Sequence, residues 1–132
     1  MNRRTMLALP TGALLCMAPN GRSALAQQKP GLIVHGNYWA LPGKVEEVYQ
    51  WRMHASDVIE RLGLRRGQVF RRQGNSEALP DVIHQTEYLN EAERMNNSVT
   101  SRGPSAAQEY QEVVKHMMTL VRRYETSVWL PN

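Results

Sequence analysis

Hydrophobic and polar positions change period along the chain in a regular order. Gly31 to Ala40 (GLIVHGNYWA) is rich in β-branched and aromatic residues and ends at Leu41-Pro42-Gly43, which predicts a strand closed by a turn. From Lys44 the spacing becomes helical. Val45, Val48, Trp51, Ala55, Val58, Ile59 and Leu62 fall on one face, Glu46 and Glu47 favour the dipole of the first turn, and Gly63 stops the helix. Gly67 to Gln73 is a second extended run and Asp81 to Leu89 (DVIHQTEYL) a third, joined as a hairpin through turn-forming residues. Asn90 is placed to cap a short helix over Glu91 to Ser98, before the breaker Ser101-Arg102-Gly103-Pro104. Helical spacing resumes at Ala106, Tyr110, Val113, Val114, Met117 and Val121, and Arg123 to Leu130 is a last strand.

The order β-α-β-β-α-β is the ferredoxin-like α+β plan, one antiparallel four-stranded sheet with both helices on one face, the second helix broken near Gly103-Pro104. Such a sheet has a second face in need of cover. Trp39, Phe70 and Trp129 are the apolar candidates there, and pairing with the sheet of a second copy would cover them, so a homodimer is expected.

Parity divides the first strand. Leu32, Val34, Gly36 and Tyr38 share the face expected to pack on the helices. Ile33, His35, Asn37 and Trp39 share the other, and Glu125, Ser127 and Trp129 are its counterpart on the last strand. This mixed polar and aromatic set reads as the lining of a ligand pocket made of His35, Asn37, Trp39, Trp129 and Glu87, or as the core of the dimer interface. His84, on the neighbouring third strand, would join His35 in one cavity if their faces agree. An imidazole there could serve as a general base or as an axial haem ligand.

The Tyr38-Trp39-Ala40-Leu41-Pro42-Gly43-Lys44 junction, the strand ending in Glu87-Tyr88 and the broken second helix together resemble the dimeric α+β barrel superfamily over residues 31 to 130. The branches they are most similar to are the NIPSNAP-like and antibiotic-biosynthesis-monooxygenase-like domains. The resemblance implies a dimer with a cavity between helices and sheet or within the shared barrel. Members include cofactor-free oxygenases, isomerases, haem proteins and domains of no known reaction. In the cofactor-free oxygenases Asn and Trp side chains on such strands line the substrate cavity, a role the resemblance implies for Asn37 and Trp39. The implied chemistry is monooxygenase-like or isomerase-like, on a small aromatic or hydrophobic molecule. No cofactor is required for it, with haem as the alternative; a non-catalytic binding or structural homodimer is the competing reading.

The N-terminus adds a compartment. Arg3 and Arg4 precede a modest apolar run, Met6 to Ala18, and Ala24-Leu25-Ala26 is a small-x-small cleavage site. Residues 1–26 read as a cleaved signal peptide, of the twin-arginine or the general type, followed by a 27–30 linker and a 31–132 domain. A periplasmic or secreted location follows. Cys16 is the only cysteine and leaves with the leader, which removes disulfides, thiolate metal sites and a cysteine nucleophile.

Net charge changes accordingly. Sixteen Lys and Arg face twelve Asp and Glu in the 132-residue chain, but Arg3, Arg4 and Arg22 lie in the leader, leaving the domain near neutrality. A persistent basic surface for nucleic acid is therefore not expected, nor is membrane insertion, because no apolar run reaches the roughly 18 residues a spanning helix needs. Arg65, Arg66, Arg71 and Arg72 around the second strand suggest an anion site or charges that protect a sheet edge. Met117-Met118 reads as core at helical spacing.

Overall fold

A computed structural model describes residues 29–132; the expected leader, with Cys16, lies outside the described residues. Strand β1 (Leu32–Ala40) runs through the turn at Gly43, whose φ of +74° suits a residue without Cβ, into helix α1 (Val45–Arg61). Gly63, at φ +75°, ends that helix as its pattern predicts. Strands β2 (Gln68–Arg71) and β3 (Val82–Tyr88) form the hairpin. The broken helix is α2 (Glu91–Asn96), a 3₁₀ turn at Val99–Arg102, and α3 (Pro104–Met118); β4 (Val121–Trp129) closes the order. Asn90 caps α2, its side-chain oxygen accepting from the Glu93 amide at 2.9 Å. Pro104 opens α3, where its missing N–H costs nothing.

The strands form one open antiparallel sheet in the order β2-β3-β1-β4, with helices α1 and α3 packed against each other over one face. This is the ferredoxin-like α+β arrangement. Tyr38, Ala40, Val48, Val82 and Met117 make its solid core. The Leu32-Val34-Gly36-Tyr38 side of β1 is thus the helix-facing side, and Met117 is core.

Several element ends differ from the sequence pattern, and at two of them tertiary contacts give the reason. Strand β2 stops at Arg71 instead of Gln73, because Arg72 turns into the following loop. Its guanidinium donates to the carbonyls of Pro80 (3.1 Å) and Ser76 (3.0 Å) and to Asp81 (2.8 Å). Asp81 in turn accepts from the Ala40 amide at 2.9 Å, tying the loop to the end of β1. Strand β4 starts two residues early, at Val121, because a register shift between Trp39 and Ala40 lets Ala40 pair with Val121.

The outer sheet face is less bare than its composition suggests. Trp39 is only 4% exposed within its own chain, with the Arg123 guanidinium 4.3 Å over its indole ring. Phe70 and Trp129 do stand open, at 47% and 57%.

Candidate functional site

Strand register decides which side chains can meet. His35 stands opposite Gln85 and Ser127, whereas His84 stands opposite Gly36. The two histidines therefore lie on opposite faces of the sheet and do not share a cavity. His35 bonds Gln85 Oε1 through Nε2 at 2.9 Å. Asn37 donates to Ser127 Oγ (2.9 Å) and to the Glu125 carbonyl (3.2 Å). Glu87 and Trp129 flank Ile33 on the same outer face. The structure keeps His35, Asn37, Trp39, Glu87 and Trp129 together there, and their polar groups are largely engaged with one another's strands.

A cavity lies on the other face. A pocket of about 380 Å³ lies between sheet and helices, floored by Val34, Gly36, His84 and Thr86 and walled by the rings of Tyr38, Tyr88, Tyr110 and Tyr124. Asn37 and Trp39 lie on the opposite side of the sheet from this pocket, one residue away in parity from its floor. The floor is made of small residues: the Tyr38 and Tyr124 rings lie directly over Gly36, where a Cβ would meet the Tyr38 hydroxyl at 3.2 Å, and Thr86 lines the floor beside it. Asn97 and Ser98, after α2, and Val99 and Thr100, in the 3₁₀ turn, line one side of the pocket.

Arg52 is the charged centre of this pocket. It is 1% exposed, in the middle of α1. Its Nη1 donates to the hydroxyls of Tyr110 (3.3 Å) and Tyr38 (3.4 Å), and its Nη2 to Ser56 Oγ (3.2 Å). No carboxylate pairs with it among the described residues, and its Nε–H has no acceptor there. A buried guanidinium satisfied only by three neutral hydroxyls is an uncommon and costly arrangement.

Its neighbours respond to it. Burial, joined by the nearby Arg52 charge, lowers His84 to about 4, so the imidazole is neutral at physiological pH. Its Nε2 lies 2.8 Å from the Arg66 carbonyl, which makes Nε2 the protonated nitrogen and leaves the lone pair on Nδ1. Burial pushes Tyr38 up to about 12, against the pull of Arg52, so this phenol stays neutral and supplies no counter-charge. Gly67 packs so close to the His84 ring that a Cβ would lie 2.7 Å from Nε2, so the hairpin entrance requires glycine.

Sequence reasoning missed Arg52, although a signal existed. It occupies the centre of the Val48, Ala55, Ile59 stripe, where an apolar residue belongs. The arginines around β2 are employed otherwise: Arg66 pairs with Asp57 and Glu60, Arg71 with Glu46 and Arg72 with Asp81. Arg65 also borders the cavity but is paired with Glu93. His54 and His116 pack against Trp51 away from the pocket, the latter at 4.1 Å between ring centres. Among the described residues no cluster of metal-ligating side chains occurs, and no helix is long and apolar enough to cross a membrane.

No family model matches the sequence and no curated protein matches it. Solved structures do share its fold. A NIPSNAP-like domain protein from Burkholderia xenovorans is 23% identical, with 79% of this chain and 88% of that one aligned at a TM-score of 0.55. A NIPSNAP family protein from Agrobacterium tumefaciens is 16% identical, with 76% and 92% aligned at 0.54. A putative antibiotic biosynthesis monooxygenase from Bacteroides thetaiotaomicron aligns over 76% and 88% with 16% identity and a TM-score of 0.49. The chain thus has the ferredoxin-like α+β fold of the NIPSNAP proteins, as the resemblance in its sequence implied.

Proposed function

We propose that this is an exported protein that binds a small aromatic or hydrophobic molecule in the cavity between its sheet and helices, and that it works as a homodimer paired through the outer sheet faces. The observation that carries the reading is the cavity itself. It has the size of a small-molecule site and is walled by four tyrosine rings, amphipathic surfaces suited to an aromatic body. The resemblance of residues 1–26 to a signal peptide supports export, and the open Phe70 and Trp129 rings support pairing. In that pairing His35, Asn37, Glu87 and Trp129 would face the partner sheet, and Asn37 and His35 would act on a ligand only within the shared barrel.

Thermal-shift screening against small aromatic and aliphatic compounds tests the binding reading. Hits should raise the melting temperature of the wild type and not of Thr126→Trp, which places a large ring at the cavity rim. Hits that persist in that variant would move the binding site elsewhere.

One observation favours a catalytic version, monooxygenase-like or isomerase-like. His84 presents a neutral imidazole to the cavity with its Nδ1 lone pair free of the Arg66 bond, the form a general base requires. Oxygen uptake with electron-rich phenols that disappears in His84→Gln would support it. For the haem alternative, the imidazole of the cavity would have to release the Arg66 carbonyl before ligating through Nε2.

A further inference from the structure

We infer that the cavity selects a monoanionic ligand, a carboxylate on a hydrophobic body, and that Arg52 is the residue that anchors it. The inference rests on the binding reading above and adds the chemical class of the ligand. It starts from an unbalanced charge. Arginine remains protonated under all physiological conditions, and Arg52 is removed from water almost completely. Buried guanidinium groups are ordinarily matched by carboxylates. Here the partners are the hydroxyls of Tyr38, Tyr110 and Ser56, at 3.2 to 3.4 Å.

Donor arithmetic points the same way. A guanidinium has five N–H groups. Three contacts are made, and the Nε–H is left without an acceptor among the described residues. Every other ionisable group at the cavity leaves the positive charge in place. Arg65 is already neutralised by Glu93, His84 is uncharged, Tyr38 is a neutral phenol, and no Asp or Glu is among the described lining residues. A single uncompensated charge calls for a single negative charge. The planar fork of arginine matches the geometry of a carboxylate. Val34, Ile59 and the tyrosine rings around it would hold the apolar body.

The alternative is that Arg52 is a purely structural polar centre tying α1 to β1 and α3. The two roles differ in what substitution does. An isolated buried charge costs stability, and an apolar residue of similar volume commonly replaces it without loss. Arg52→Met should therefore melt at or above the wild-type temperature if Arg52 serves a ligand, and below it if the hydroxyl bonds hold the fold.

Isothermal titration of the full domain with phenylacetate, phenylacetamide and phenyl phosphate tests the inference. These share an aromatic body and differ in charge. Phenylacetate should bind about tenfold or more tightly than the isosteric amide, the worth of a charge-assisted hydrogen bond, and more tightly than the dianionic phosphate. The preference should vanish in Arg52→Met, or fall in Arg52→Lys if the methionine variant does not fold. Equal binding of acid and amide overturns the anion inference while leaving the pocket reading intact. Tighter binding of phenyl phosphate overturns the carboxylate assignment. A preference that survives in the Arg52 variants removes Arg52 as the anchor, and no binding of any of the three at millimolar concentration overturns both readings.

Discussion

His84 shows how a single residue couples the site to stability. Burial and the Arg52 charge lower it from an ordinary value near 6.5 to about 4. Between those values the unfolded chain holds the proton and the folded chain does not, so stability falls as pH drops from about 6.5 toward 4 and levels off below. At roughly 1.4 kcal/mol for each tenfold change in proton affinity, the loss from this residue approaches about 3 kcal/mol. Urea unfolding followed across that range should show the decline in wild type and a flatter profile in His84→Gln. An equal slope in both would place the titrating group elsewhere. Arg52 marks the limit of reading residues from their neighbours in sequence. Its position in the apolar stripe of α1 marked it as unusual, but the absence of a carboxylate partner depends on β1 and α3, far away along the chain.

At the scale of elements, the loop between β2 and β3 is organised by one ion pair. Arg72 and Asp81 meet at 2.8 Å with both side chains mostly buried, and Asp81 also holds the Ala40 amide at the irregular end of β1. Asp81→Ala would strand a partly buried guanidinium and an amide together, which should cost about 2–4 kcal/mol. Chemical denaturation measures the loss; a change within 0.5 kcal/mol, the ordinary effect of a surface substitution, would show that the loop is organised by its backbone alone. By contrast Arg71–Glu46 and Arg66–Asp57 are open to solvent and should contribute little. Element type and order followed from hydrophobic period and turn residues, because those are local. Element ends did not, because the short β2 is set by a side-chain clamp and the early β4 by its irregular pairing with the end of β1.

For the whole molecule, the open outer face makes its own prediction. Phe70 and Trp129 expose large rings on the side of the sheet away from the helices, flanked by His35, Gln85 and Glu125. Light scattering on the purified domain should give the mass of a dimer, and Phe70→Glu combined with Trp129→Glu should shift it to a monomer. A monomeric wild type would remove the paired-sheet proposal and leave the cavity between sheet and helices untouched, since all its walls come from one chain. That independence separates the two halves of the functional reading.

The amino-acid sequence alone determined the order of strands and helices, the helix-facing side of β1 and the cap at Asn90, since each follows from spacing or from a group reaching only a few residues along the backbone. Tertiary structure decided the rest. It put His35 and His84 on opposite faces through strand register, and it set the cavity between sheet and helices, with tyrosine rings laid over Gly36. It also buried Arg52 without a counter-charge among the described residues. Parity can say which residues share a face, but the room left on that face depends on the side chains that meet across it from three separate elements.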